Sequence, residues 1–114
     1  MSTNTPIDVP GLLRKYGLRP DHSLGQNFLV DQAGLEKVLS AARLTEGEDV
    51  LEIGSGLGNL TRLLAANARE VVAVEIDKQL IPPLKEVLGE LTNVRVVEGD
   101  ILKMDPTELM ESDS

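Results

Sequence analysis

From Asp49 onward the apolar positions come in short unbroken runs, and the stretches between them carry apolar residues at helical spacing. Val50-Leu51, Val71-Val72-Ala73-Val74 and Val94 to Val97 mark strands near 49 to 53, 71 to 75 and 94 to 98. The intervening periodicity predicts helices over roughly 58 to 67 and 78 to 90. Near-continuous apolar strands alternating with amphipathic helices imply a parallel sheet covered on both faces, a Rossmann-like three-layer α/β fold. Pro82-Pro83 conflicts with a helix running straight from residue 78, because an interior proline loses a backbone bond and clashes one turn back. A kinked or late-starting first turn is expected there.

The N-terminal part is patterned differently. Residues 1 to 9 form a polar lead, and Val9 to Tyr16 reads as a short helix between Pro10 and Gly17. Residues 17 to 30 hold Gly17, Pro20, Ser23 and Gly25 without a period, which predicts an extended loop. Asp31 is placed to cap a helix over 32 to 43, whose inward face is Leu35, Val38, Leu39 and Ala42. The expected division is therefore a lead and loop over 1–30, then the first half of the α/β domain over 31–114. After Asp100 come a helix start at Asp105-Pro106 and an acidic tail from Glu111. A doubly wound domain continues with further strands, so the chain is expected to be part of something longer, with its first strand left as an exposed edge that favours marginal stability or self-association.

The first strand leads into Glu52-Ile53-Gly54-Ser55-Gly56-Leu57-Gly58, a glycine-spaced turn opening a helix. Such a turn lets a ligand lie against the backbone at the helix N-terminus. Two later strands also end in acids, at Glu75 and at Asp100 after Gly99. Ligands of open α/β sheets sit beyond the carboxyl ends of the strands, so Gly54, Glu75 and Asp100 should converge on one crevice. A dinucleotide fingerprint would place its last glycine at Asn59, whereas the pattern here is E-x-G-x-G-x-G, the form usual for S-adenosylmethionine. Glu75 is placed to accept both ribose hydroxyls and Asp100 to accept from the adenine amine; a solvated strand-end acid and a turn aspartate are the plainer readings. Asp77 reads as a helix cap. Glu52, inside an apolar strand, needs polar partners at the turn, and either supports the cofactor's ammonium or is structural.

Composition narrows the class. With 114 residues, 41% of them hydrophobic, the chain suits one core. It has no cysteine, which excludes disulfides and cysteine-based nucleophiles or metal sites, and no metal site is expected. No apolar run approaches the ~20 residues of a membrane helix, and the polar start lacks a signal-peptide pattern, so a cytoplasmic location is the default expectation. The net charge of −8 falls wholly after residue 40, where 15 acidic side chains face seven basic ones. Such a surface repels phosphate backbones, so only weak RNA binding is expected, with Arg14, Lys15, Arg19 and His22 as the local candidates.

The run Ser23-Leu24-Gly25-Gln26-Asn27-Phe28-Leu29 resembles the N-terminal signature of the ribosomal RNA adenine dimethyltransferase family, of the small-subunit methyltransferase A type. Leu51 to Gly58, Val74-Glu75-Ile76-Asp77 and Glu98 to Leu102 are similar to that family's cofactor motifs, in the same order, across roughly residues 19 to 105. The resemblance implies an S-adenosylmethionine-dependent methyltransferase fold, here truncated after the third strand. It also implies cofactor contacts from Asn27, Leu29, Gly54, Glu75 and Asp100, with Asn27 and Leu29 closing over the site. Phe28 reads as a core residue.

The implied activity is twofold methylation of an adenine exocyclic amine in 16S-type ribosomal RNA, during ribosome biogenesis. In the resembling family an Asn-Leu-Pro-Tyr type motif after the fourth strand holds the target base. No such motif occurs in these 114 residues, so no catalytic residue is assigned and the isolated chain is expected to be inactive. A methyltransferase for a non-RNA substrate and a non-catalytic cofactor-binding module remain alternatives.

Overall fold

The computed structural model describes residues 7–18 and 47–111. Three parallel strands, β1 (Asp49–Ile53), β2 (Glu70–Glu75) and β3 (Val94–Glu98), lie in the order β1-β2-β3. Their register puts Val50, Val71 and Val94 on one rung, and Glu75 beside Glu98 at the carboxyl end. Among the described residues β1 pairs only with β2, so it is an edge.

A short helix α1 (Val9–Lys15) precedes the sheet, α2 (Asn59–Asn67) joins β1 to β2, and α3 (Ile81–Leu88) joins β2 to β3. Both crossover helices cover one face. Leu64, Ala65 and Ala68 of and after α2 pack with Val71, while Leu84, Val87 and Leu88 of α3 meet Val94 and Val96. Side chains alternate across a strand, so Arg95 points to the opposite face. There its guanidinium donates to the Leu109 carbonyl of a last helix α4 (Pro106–Glu111) and pairs with Glu70 at 3.9 Å. Helices thus lie on both faces, as the apolar strands imply.

The prolines set where α3 begins. A 3₁₀ turn, Lys78–Leu80, comes first, capped by the Asp77 carboxylate accepting from the Gln79 N–H at 2.9 Å. The α-helix then starts at Ile81, with Pro82 and Pro83 in its first turn, where backbone N–H groups have no intrahelical partner to lose. The expected helix over 78 to 90 is therefore this two-part element, ending at Leu88.

Helix α1 docks on α3. Ile7, Val9, Leu12 and Leu13 join Leu57, Leu80, Leu84, Val87 and Leu88 in one buried cluster. At its rim the Lys15 ammonium and the Tyr16 hydroxyl both donate to Glu86 Oε1, at 2.5 and 2.6 Å. These donors hold the Glu86 carboxyl below its usual range and raise Lys15 and Tyr16. Lys15, a candidate for RNA contact, is thus committed to an acid, while Arg14 is exposed. No helix among the described residues is long and apolar enough to cross a membrane.

The division at residue 30, the helix expected over 32 to 43, and Arg19, His22, Asn27, Phe28 and Leu29 lie outside the described residues.

Candidate functional site

The carboxyl ends of the three strands are tied together by their own backbones. The Gly54 and Ser55 N–H groups donate to the Val74 carbonyl at 2.8 and 3.3 Å, and the Gly99 N–H donates to the Glu75 carbonyl at 2.9 Å. Gly54, Glu75 and the Gly99-Asp100 step are therefore neighbours on one edge, as their positions at successive strand ends predict.

Glu75 sits at the centre and is only 5% exposed. Its Oε1 accepts from the Gly56 N–H at 2.7 Å and its Oε2 from the Asp77 N–H at 3.0 Å. A carboxylate offers about four lone-pair directions, so two remain for further donors after both backbone bonds are made. Asp100 accepts the Leu102 N–H at 3.0 Å, which shapes the 3₁₀ turn Ile101–Lys103.

Two glycines of the turn do different work. Gly54 has φ of +77° and is exposed, with nothing within 4 Å of where a Cβ would stand. Its bare face looks onto open space. Gly58, with φ of +86°, is buried, and a Cβ there would stand 3.1 Å from Leu84 Cδ1 and 3.3 Å from Leu88 and Val87. That glycine lets α2 start close against α3. Between them Leu57, 1% exposed, plugs the turn into the α1–α3 core. No side chain caps the N-terminus of α2.

Beneath the turn, Glu52 finds the polar partner that its position in an apolar strand requires. The Thr61 hydroxyl on α2 donates to Glu52 Oε1, joining the strand before the turn to the helix after it. Burial pushes the Glu52 carboxyl up, the Thr61 hydroxyl opposes that, and the nearby Glu75 charge adds to the rise. The Ser55 hydroxyl, buried beside the same carboxylate, also opposes the rise.

Sequence reasoning missed one feature of this edge. Among the described residues the exposed large apolar side chains, Ile53, Ile76 and Leu102, are 59%, 63% and 90% exposed, and they lie at the last residue of β1 or just after the ends of β2 and β3. The signal was present in the sequence, since each stands within two residues of Gly54, Glu75 or Asp100, where a polar side chain would be unremarkable.

The family described as ribosomal RNA adenine dimethylase matches this chain over residues 18–114. The chain belongs to that family. The ribosomal RNA small subunit methyltransferase A of Clostridioides difficile is 48% identical over 100 residues, which is 88% of this chain and 35% of that protein. Among solved structures, the 23S rRNA methyltransferase ErmE is 41% identical with a TM-score of 0.66, over 70% of this chain and 33% of that one. A dimethyladenosine transferase from Plasmodium falciparum is 34% identical with a TM-score of 0.64, over 69% and 30%. This family member thus spans little more than a third of the curated relatives it matches. Its sheet and helices are the Rossmann-like methyltransferase arrangement of those structures.

Proposed function

We propose that this chain is the donor-binding part of an rRNA adenine N6,N6-dimethyltransferase acting on small-subunit ribosomal RNA. The observation that carries the reading is the pairing of Glu75 with the bare face of Gly54. A carboxylate fixed by two backbone donors, with acceptor capacity to spare, stands beside a stretch of backbone open to a ligand.

The residues fit S-adenosylmethionine by their chemistry. Glu75 would accept the ribose hydroxyls and Asp100 the adenine amine. Ile76 and Leu102 offer apolar surface beside those acids for a planar ring. Gly54 and the uncapped start of α2 would take the amino-acid portion, whose carboxylate suits helix N–H groups. Asn27 and Leu29 belong to the same proposed contact set and would close over it from the N-terminal segment. When bound, S-adenosylmethionine would supply an activated methyl group for transfer to an adenine amine.

The chain's own part is to hold the donor in register, which lowers the barrier by positioning. The acceptor base needs an aromatic pocket, and the Asn-Leu-Pro-Tyr type motif that would build it does not occur in this sequence. Ribosomal RNA is the proposed partner of the longer proteins, and the net charge of −8 makes tight RNA binding by this part unfavourable. A cytoplasmic location belongs to the same proposal.

Titration calorimetry with S-adenosylmethionine tests it. The unaltered chain should bind, and Glu75→Ala should weaken binding by about tenfold or more, the worth of a charge-assisted ribose contact. Equal affinity of the two would remove Glu75 from the site. Methyl transfer to immature small-subunit RNA should be undetectable with this chain alone.

A further inference from the structure

The Glu52 carboxylate is harder to account for than the rest of the turn. It is 9% exposed, Thr61 is fully buried on top of it, and a second carboxylate, Glu75, acts on it from the next strand. The hydrogen bond does not require the charge: a glutamine carbonyl would accept the Thr61 proton equally well. Burying a carboxylate is unfavourable unless something repays it, and a like charge nearby makes it more so.

We propose that Glu52 is a charge selector, which favours the cationic sulfonium of the methyl donor over the neutral thioether left after transfer. The inference rests on the function proposed above. The two ligands share adenine, ribose, carboxylate and ammonium, and differ in one methyl group and one positive charge at sulfur. A carboxylate fixed under the turn by Thr61 sets a negative potential where that charge arrives, in a site already bounded by Glu75 and Asp100. Contact with the ammonium would act on both ligands alike and leave their ratio unchanged. Glu52 thereby weakens the hold on the ligand once its charge is gone, which assists exchange of spent cofactor for fresh donor.

The experiment measures the affinities of S-adenosylmethionine and S-adenosylhomocysteine for the same chain by calorimetry, unaltered and as Glu52→Gln. A unit charge about 10 Å away at an effective dielectric near 20 corresponds to roughly a tenfold effect. Glu52→Gln should therefore lower the methionine-to-homocysteine affinity ratio by about tenfold, almost entirely through the sulfonium ligand. Because the ratio is taken within one protein, general damage to the fold cancels. Thr61→Val gives a second route that keeps the acid: without the donated proton, burial neutralises Glu52, and the ratio should move the same way. Glu52→Asp should restore most of it. Equal weakening of both ligands in Glu52→Gln would make Glu52 a structural brace and overturn the inference while leaving the donor site standing. Failure of both ligands to bind the unaltered chain would overturn the donor site itself.

Discussion

The Glu75 carboxylate accepts the Gly56 amide at 2.7 Å, so the end of β2 holds the turn that follows β1. The same group accepts the Asp77 amide, which starts the next connection. One side chain therefore organises two loops before any ligand arrives.

Removing it should loosen both. Glu75→Ala leaves the Gly56 and Asp77 N–H groups without their charged acceptor, and hydrogen bonds to charged groups contribute roughly 1.5–3 kcal/mol each before water substitutes. A loss of about 1–3 kcal/mol in unfolding free energy is expected, read from denaturant midpoints. Glu75→Gln should fall between, because its amide nitrogen cannot accept from a backbone N–H. A midpoint unchanged in the alanine variant would contradict the bracing role.

The glycines at 54 and 58 should separate binding from stability. Gly58→Ala places a Cβ at a left-handed residue 3.1 Å from Leu84, combining roughly 1–2 kcal/mol of backbone strain with about 1–3 kcal/mol of overpacking. Gly54→Ala incurs only the backbone part, since its Cβ meets no protein atom, but it occupies the proposed ligand face. Thermal melts should therefore rank Gly58→Ala as the less stable, and cofactor titration should rank Gly54→Ala as the weaker binder relative to its stability. The reverse order would contradict the assignment of the two faces.

The raised Glu52 carboxyl gives a pH dependence with a definite sign. The unfolded chain releases this proton first, near the ordinary carboxylate value of 4.5, while the folded chain holds it to higher pH. Stability from this group is present at low pH and declines as pH rises from about 4.5 toward the folded value. Unfolding midpoints of the unaltered chain relative to Glu52→Gln should fall across that range. The comparison cancels Glu86, whose lowered carboxyl works in the opposite direction, losing stability as pH drops below the ordinary value. A difference independent of pH would mean that Glu52 titrates alike in the folded and unfolded chain, which contradicts the raised carboxyl.

Much of this molecule was readable from its letters. The strands at 49–53 and 94–98 match their apolar runs, and β2 begins one residue earlier, at Glu70, where its backbone pairs with Asp49 of β1. Helix α2 starts one residue late because Gly58 is its left-handed cap. Asp77 caps as expected, and the prolines fix a late helix start. Strand ends in a parallel sheet necessarily share an edge, which is why Gly54, Glu75 and Asp100 could be brought together on paper.

What stayed hidden depends on contacts between elements. Nothing local says that Thr61, nine residues on, receives Glu52, or that Glu75 reaches back across the sheet to Gly56. The docking of α1 on α3 through Leu12, Leu13 and the Lys15–Glu86 pair joins residues about 70 positions apart. The placement of α4 rests on Arg95, a cation within an apolar strand, whose direction follows from strand parity once the register is known.

The central claim is that three strand ends form one ligand edge, and amide NMR during titration with S-adenosylmethionine tests it most directly. The account predicts saturable shifts concentrated at Gly54, Gly56, Asp77 and Asp100, with α4 and the amino ends of the strands unmoved. Saturable binding that shifts one strand end alone, or residues away from this edge, would contradict it.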